Sequence, residues 1–340
     1  MNELMQPDAW LALVFLGLLG LSMLIYVVLD GFDLGVGILL EDADEAQKDM
    51  MIASIGPFWD ANETWLVLGI GILLVAFPVA HGVILGALYL PVAAMLIGLI
   101  MRGVAFDFRV KARGSHKTAW NRIFFSGSLI AGGAQGVMIG LYIVGFAITP
   151  GTLIFAAFTG LALLAAYALL GASWLIMKTE GALQLRAVKW ARHSVLLCAL
   201  GIAAISIVTP LVSPQIFAKW FSFPNIILLA PIPLMTAALF AAIEVVLRKL
   251  PARLAVQNEA WAWLPFGATV AIIVLAFIGL AYSLFPYLVV DRITIWEAVS
   301  APASLKIILA GVVVVLPAII GYTIWSYKIF WGKARPLSYS

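Results

Sequence analysis

Charge is scarce in this sequence. Of its 340 residues only 11% are Asp, Glu, Lys or Arg, against 64% hydrophobic, where a soluble domain of ordinary composition carries about 25% charged residues. Too little polar surface exists to coat a water-soluble particle. That excludes a soluble enzyme, a disordered chain and a nucleic-acid-binding domain; the net charge of +3 is no polyanion signal either. Cysteine is reduced to Cys198, which excludes an intramolecular disulfide framework, a Cys-built zinc site and a Cys-ligated iron–sulfur cluster. Set in an apolar run, it reads as a small packing residue.

Histidine is nearly as rare, with three in all. Haem in helical bundles is usually held by His or Met at mid-span. His116 and His193 fall in or beside basic connectors, and His81 at a short turn after Phe77-Pro78, so no pair is placed to sandwich a haem. The ten methionines are scattered and read as core packing. No phosphate-binding loop occurs, and the glycines from Gly31 to Gly37 sit in a helical pattern rather than in a nucleotide fingerprint. A cofactor or metal site owned wholly by this chain is therefore not expected. Residues 1–9 carry Glu3 and Asp8 but no Lys or Arg. A secretory signal needs a basic start and a small-residue cleavage site, so the first apolar stretch is expected to be a retained span.

What the sequence has in abundance is long apolar runs. A membrane span needs about 20 such residues, and nine runs qualify: roughly 10–40, 52–77, 82–101, 123–148, 152–177, 194–212, 225–247, 263–285 and 304–327. The fold class is all-α, a polytopic membrane protein of about nine transmembrane helices. Pro231, Pro233 and Pro317 fall inside spans, where partner helices can accept the freed backbone groups. With nine spans, the connectors after spans one, three, five and seven plus the C-terminus share one side. That side collects every basic residue except Lys219, Arg292 and Lys306. Basic loops stay cytoplasmic, so the N-terminus is expected outside and the C-terminus in the cytoplasm. Trp10, Trp220, Trp261, Trp263, Trp325 and Trp331 fall near span ends, as interfacial anchors do. A weak two-fold organisation is expected: residues 1–150 a first four-helix bundle carrying the acids, 151–286 a second, and 287–340 a last helix with a cytoplasmic tail. No clean sequence repeat supports it.

The informative residues are acids within spans. Asp30 and Asp33 lie three apart on one helix face, and Gly31 and Gly35 make a small-xxx-small spacing that admits another helix. If the span ends near Leu40, Asp33 lies ~10 Å and Asp30 ~15 Å from that end, at 1.5 Å per residue. Asp60 and Glu63 are again three apart, with Asn62 between them, and Asp60 would lie ~12 Å into its span by the same rise. Asp107 follows the third span, near Arg102 and Arg109, either of which could pair with one of the acids. An aspartate at mid-span costs about 3 kcal/mol, so these groups must face the bundle interior, water or one another. The bland reading is helix capping and ion pairs that only hold spans together, most applicable to Asp107 and Arg109. The functional reading is a chain of protonatable groups running inward from the cytoplasm. Glu244, near a span end, reads as a snorkelling residue.

Three segments carry a resemblance: Asp30-Gly-Phe-Asp-Leu-Gly-Val-Gly37, Pro57-Phe-Trp-Asp-Ala-Asn-Glu-Thr-Trp-Leu66 and Gly103-Val-Ala-Phe-Asp-Phe-Arg109. Together with Phe285-Pro286-Tyr287 and Thr294-Ile-Trp-Glu-Ala298, they resemble subunit II of the cytochrome bd-type quinol oxidases, in outline over nearly the whole chain. The short length, Phe58 and Glu63 are similar to the cyanide-insensitive branch. The resemblance implies a haem-free subunit of an enzyme that oxidises quinol and reduces dioxygen to water. It places haems b and d and the quinol site in a partner, subunit I. One or more small single-span subunits, membrane lipid and quinone are further partners it implies, in the bacterial cytoplasmic (inner) membrane. It assigns no catalytic residue here. Asp30, Asp33 and Asp60 match the family's interface acids of a proton pathway; Glu63 stands where some relatives have a non-acidic residue, and Asp107 completes the candidate set. Consumption of cytoplasmic protons, rather than pumping, would then make the complex electrogenic. Two rivals remain at this point: a proton-coupled secondary transporter, since midplane acids and prolines in spans are shared features, and a purely structural scaffold.

Overall fold

The computed structural model describes residues 8–335; the residues before them, Glu3 included, lie outside the described part. In chain order the helices are α1 (Ala9–Leu39), α2 (Glu45–Ile55), α3 (Trp59–Ala76), α4 (Pro78–Ala87), α5 (Tyr89–Lys111), α6 (Ser115–Ile143) and α7 (Pro150–Lys178). Then follow α8 (Gly181–Val212), α9 (Pro214–Phe221), α10 (Asn225–Leu229), α11 (Pro231–Ala255), α12 (Leu264–Leu284), α13 (Ile295–Ala298) and α14 (Pro302–Ile329). A two-stranded antiparallel hairpin, β1 (Tyr287–Val289) with β2 (Ile293–Thr294), precedes α13. Among the described residues nine stretches are long and apolar enough to cross a membrane. The all-α multi-pass architecture therefore stands.

Several boundaries differ from the sequence reading, each for a local reason. The second span begins at Trp59 rather than near residue 52. The segment before it folds as the separate helix α2, capped by the Asp44 side chain on the Gln47 amide. Pro57, which has no amide hydrogen to continue the ladder, falls in the turn between the two helices. The third span runs Tyr89–Lys111, not 82–101, because Phe77-Pro78 opens the short helix α4 first. His81 consequently lies on α4 and not in a turn. Pro231 and Pro233 lie within the span Asn225–Ala255, at the start of α11, where a first-turn proline costs no hydrogen bond, and Pro317 lies inside α14.

The chain forms two compact units that interleave along the sequence. One comprises the described part of Met1–Asp30, with Pro57–Ala87 and Leu284–Trp331. In it α3 approaches α1 at Gly69, where an added Cβ would lie 2.8 Å from the Met23 sulfur. Ser300 closes the C-terminal end of α3 by donating its amide and hydroxyl to the Ala76 and Val75 carbonyls at 2.8 and 2.7 Å. Lys306 pairs with Asp8 at 2.9 Å.

The other unit comprises Gly31–Gly56, Leu88–Ser283 and the described part of Gly332–Ser340. Its helices touch at small residues. A Cβ on Gly35 would overlap the Tyr167 carbonyl, and one on Gly171 would overlap the Gly35 backbone. The glycine spacing of α1 thus finds its partner in α7. A buried polar pair, the Tyr167 hydroxyl donating to Gln135 Oε1 at 2.6 Å, ties α7 to α6. Phe32 stacks on Trp174 with centroids 4.1 Å apart.

Candidate functional site

Each unit holds part of the acid set. In the first, Asp30 on α1 is completely buried. Asp60 is exposed and Glu63 half-buried on α3. Because α3 starts at Trp59, Asp60 is a first-turn residue rather than one ~12 Å along its span. There the unsatisfied backbone amides and the helix dipole favour a carboxylate. The helix starts beside the acid turn of α1: the Asn62 amide nitrogen donates to the Leu29 carbonyl at 3.4 Å, and its oxygen accepts from the Tyr327 hydroxyl at 3.0 Å. The turn bearing Asp30 is thus level with the first turn of α3 and the last of α14.

In the second unit Asp33 is completely buried, and Arg102 on α5 is 1% exposed. Asp107 is exposed in the C-terminal turns of α5. The neighbouring Arg109, which the sequence offered as a partner for an intramembrane acid, turns instead to α2 and α6. Its guanidinium donates to Asp49 Oδ1 at 2.7 Å and to Asn121 Oδ1. Lys117 also reaches Asp49, at 2.7 Å, and Asn121 donates to Glu45 at 3.2 Å. Lys48, largely buried, lies 3.6 Å from Glu45 and 3.9 Å from Glu41. Partial burial pushes the Asp49 carboxyl up. Hydrogen bonds from Lys117 and Arg109, with their charges, outweigh that and hold it below the usual 3.8.

Sequence reasoning passed over this network because residues 41–49 looked like a connector. The signal was there: Asp44 three residues before Gln47, an N-cap pattern, announces α2. Glu244, read as a snorkelling residue, accepts from Arg248 at 2.7 Å and from Arg192 at 3.4 Å. His116 and His193 are exposed on α6 and α8, and His81 is half-buried on α4. Among the described residues no cluster of three or more His, Cys, Asp or Glu has metal-ligand geometry.

A model of the family described as cytochrome bd terminal oxidase subunit II matches residues 11–330. The chain is 29% identical to the cytochrome bd ubiquinol oxidase subunit 2 of Bacillus subtilis, covering 98% of both chains. It is 28% identical to the cytochrome bd-I ubiquinol oxidase subunit 2 of Escherichia coli K12, over 93% of each. Its fold matches a chain in the structure of the bd oxidase from Geobacillus thermodenitrificans, with a TM-score of 0.75 and 18% identity, over 94% of this chain and 99% of that one. Nine apolar helices among the described residues and a family match over residues 11–330 agree: this chain belongs to the cytochrome bd terminal oxidase subunit II family.

Proposed function

We propose that the chain is the haem-free subunit of a terminal quinol oxidase in the bacterial cytoplasmic membrane. On this reading it packs against the haem-bearing subunit I and supplies part of a proton-uptake route from the cytoplasm to the site where dioxygen is reduced. One observation carries the reading. Two carboxyls, Asp30 and Asp33, are wholly buried on a membrane helix, while Asp60 stands exposed in the first turn of another. Buried intramembrane acids are costly and are tolerated where they serve a pathway. An exposed carboxylate on a span calls for a protein partner or water, not lipid. On this reading haem and its chemistry belong to the partner, as the resemblance to subunit II implies. Chain residues would then take up, hold and pass protons, with Asp33 and Asp60 as the relay groups, Asp30 next, then Glu63 and Asp107. The loop charges put the entrance on the cytoplasmic side, so uptake consumes inner protons and the complex is electrogenic without pumping.

Replacing Asp60 by Asn in the whole complex tests this. Oxygen consumption should fall while haem content and assembly stay intact. Normal turnover together with normal charge separation would remove the relay role. Loss of all haem would instead assign the residue to assembly.

A further inference from the structure

The acids alone do not account for a second polar feature of the first unit. Asn62 is 1% exposed, yet it carries both a donor and an acceptor into the interior. Both are used, by the Leu29 carbonyl on α1 and by the Tyr327 hydroxyl on α14. The Tyr327 ring is held independently of that hydroxyl. It stacks on Phe58 with centroids 4.4 Å apart and planes 20° from parallel, and Phe330 meets Phe58 edge-on at 5.9 Å. Packing is therefore satisfied by rings, and an apolar residue at position 62 would fill the space without the demand for two hydrogen bonds.

The bridge has a specific location. Leu29 directly precedes Asp30, and in α-helical register its carbonyl also takes the amide of Asp33. Asn62 stands between Asp60 and Glu63. The bridge thus joins the acid-bearing turn of α1 to that of α3. A crevice of about 380 Å³, lined by Leu29, Thr323, Ile324, Tyr327, Lys328 and Trp331, lies against it. Both Leu29 and Tyr327 belong to the crevice wall and to the bridge.

We propose that Asn62 and Tyr327 are positioning residues of the proton route, an inference that rests on the reading that these acids carry protons. The pair fixes the height of the Asp30 turn against the Asp60 turn and seals the crevice side of that contact. Neither residue is itself asked to carry a proton. Their effect runs through the acids they hold in register, where a displacement of about 1 Å is enough to slow a positioned reaction.

The test uses the complete oxidase complex. Tyr327→Phe removes one oxygen and leaves the ring stack; Asn62→Leu removes both bonds and serves as the stronger variant if it assembles. Haem content, oxygen consumption against pH, and the rate of the proton-coupled charge-separation phase are measured beside Asp60→Asn and Asp33→Asn. For Tyr327→Phe the expected result is wild-type haem content, with charge separation slowed about three- to tenfold, the size of one neutral hydrogen bond, and an altered pH profile. Wild-type kinetics in Tyr327→Phe beside slowed Asp60→Asn would overturn the bridge and leave the proton route standing. Activity falling only in proportion to lost haem would make the pair a structural tether and overturn the proposal equally. Wild-type kinetics in both acid variants would remove the route itself, and the proposal with it.

Discussion

Two glycines of one helix provide a matched experiment. Gly17 and Gly35 both lie in α1. A Cβ on Gly17 would meet nothing within 4 Å, whereas one on Gly35 would overlap the Tyr167 carbonyl of α7. Alanine gains up to about 1 kcal/mol over glycine in a helix interior, and that gain is common to both variants. Their difference therefore isolates the overlap. Overpacking of a close-packed interior costs about 1–3 kcal/mol, and the obstacle here is backbone, which cannot rotate aside as a side chain can. Gly17→Ala should be neutral to slightly stabilising, and Gly35→Ala destabilising, with the pair separated by about 2–3 kcal/mol. Unfolding of the purified complex in mixed micelles, followed by tryptophan fluorescence, reads the difference. Gly171→Ala strikes the same contact from the other helix, so its effect should fail to add to that of Gly35→Ala. Because Asp33 is half a turn from Gly35, pushing α1 from α7 should also lower oxygen consumption. Equal stabilities of the Gly17 and Gly35 variants would refute the close approach of α1 and α7.

Three further outcomes follow from the side-chain network. The carboxyl of Asp49 is held below its ordinary 3.8, so its contribution to stability is complete above that value and is lost as the pH falls through the lowered one. Acid unfolding of Asp49→Asn should lack this component, and high salt should shrink it in the wild type because the side chain is half exposed. Arg109→Ala should destabilise more than Lys117→Ala. Arg109 is 4% exposed, and its removal leaves the Asn121 side-chain oxygen without its donor and Asp49 with Lys117 alone, a difference that thermal inactivation of the complex would register. Lys333 donates to the Thr179 carbonyl at 2.9 Å and pairs with Glu259 at 2.7 Å, next to an Ala334 amide bonded to the Lys178 carbonyl at 2.7 Å. Lys333→Ala should raise hydrogen exchange at Ala334 while costing the whole protein under about 1 kcal/mol, as surface ion pairs do.

Hydropathy determined the architecture directly from the sequence. A span is a property of consecutive residues, and the cost of leaving a backbone amide unsatisfied in lipid leaves a helix as the way to cross. Nine runs, the spacing of Asp30 with Asp33, and the glycine face of α1 could all be read before any helix had a neighbour. The family, too, was legible in three short segments. What the sequence did not disclose depends on which helices stand together. The break at Gly56–Phe58 moved Asp60 from the middle of a span to its first turn, because hydropathy runs smoothly over a turn that hydrogen bonding does not. Arg109 passed over the acids of its own neighbourhood for Asp49, 60 residues earlier in the chain. Asn62 and Tyr327, 265 positions apart, carry no shared motif. Ion pairs and hydrogen bonds act over a few ångströms in space, and only the packing of α1, α3 and α14 brings that separation down to 3.0 Å.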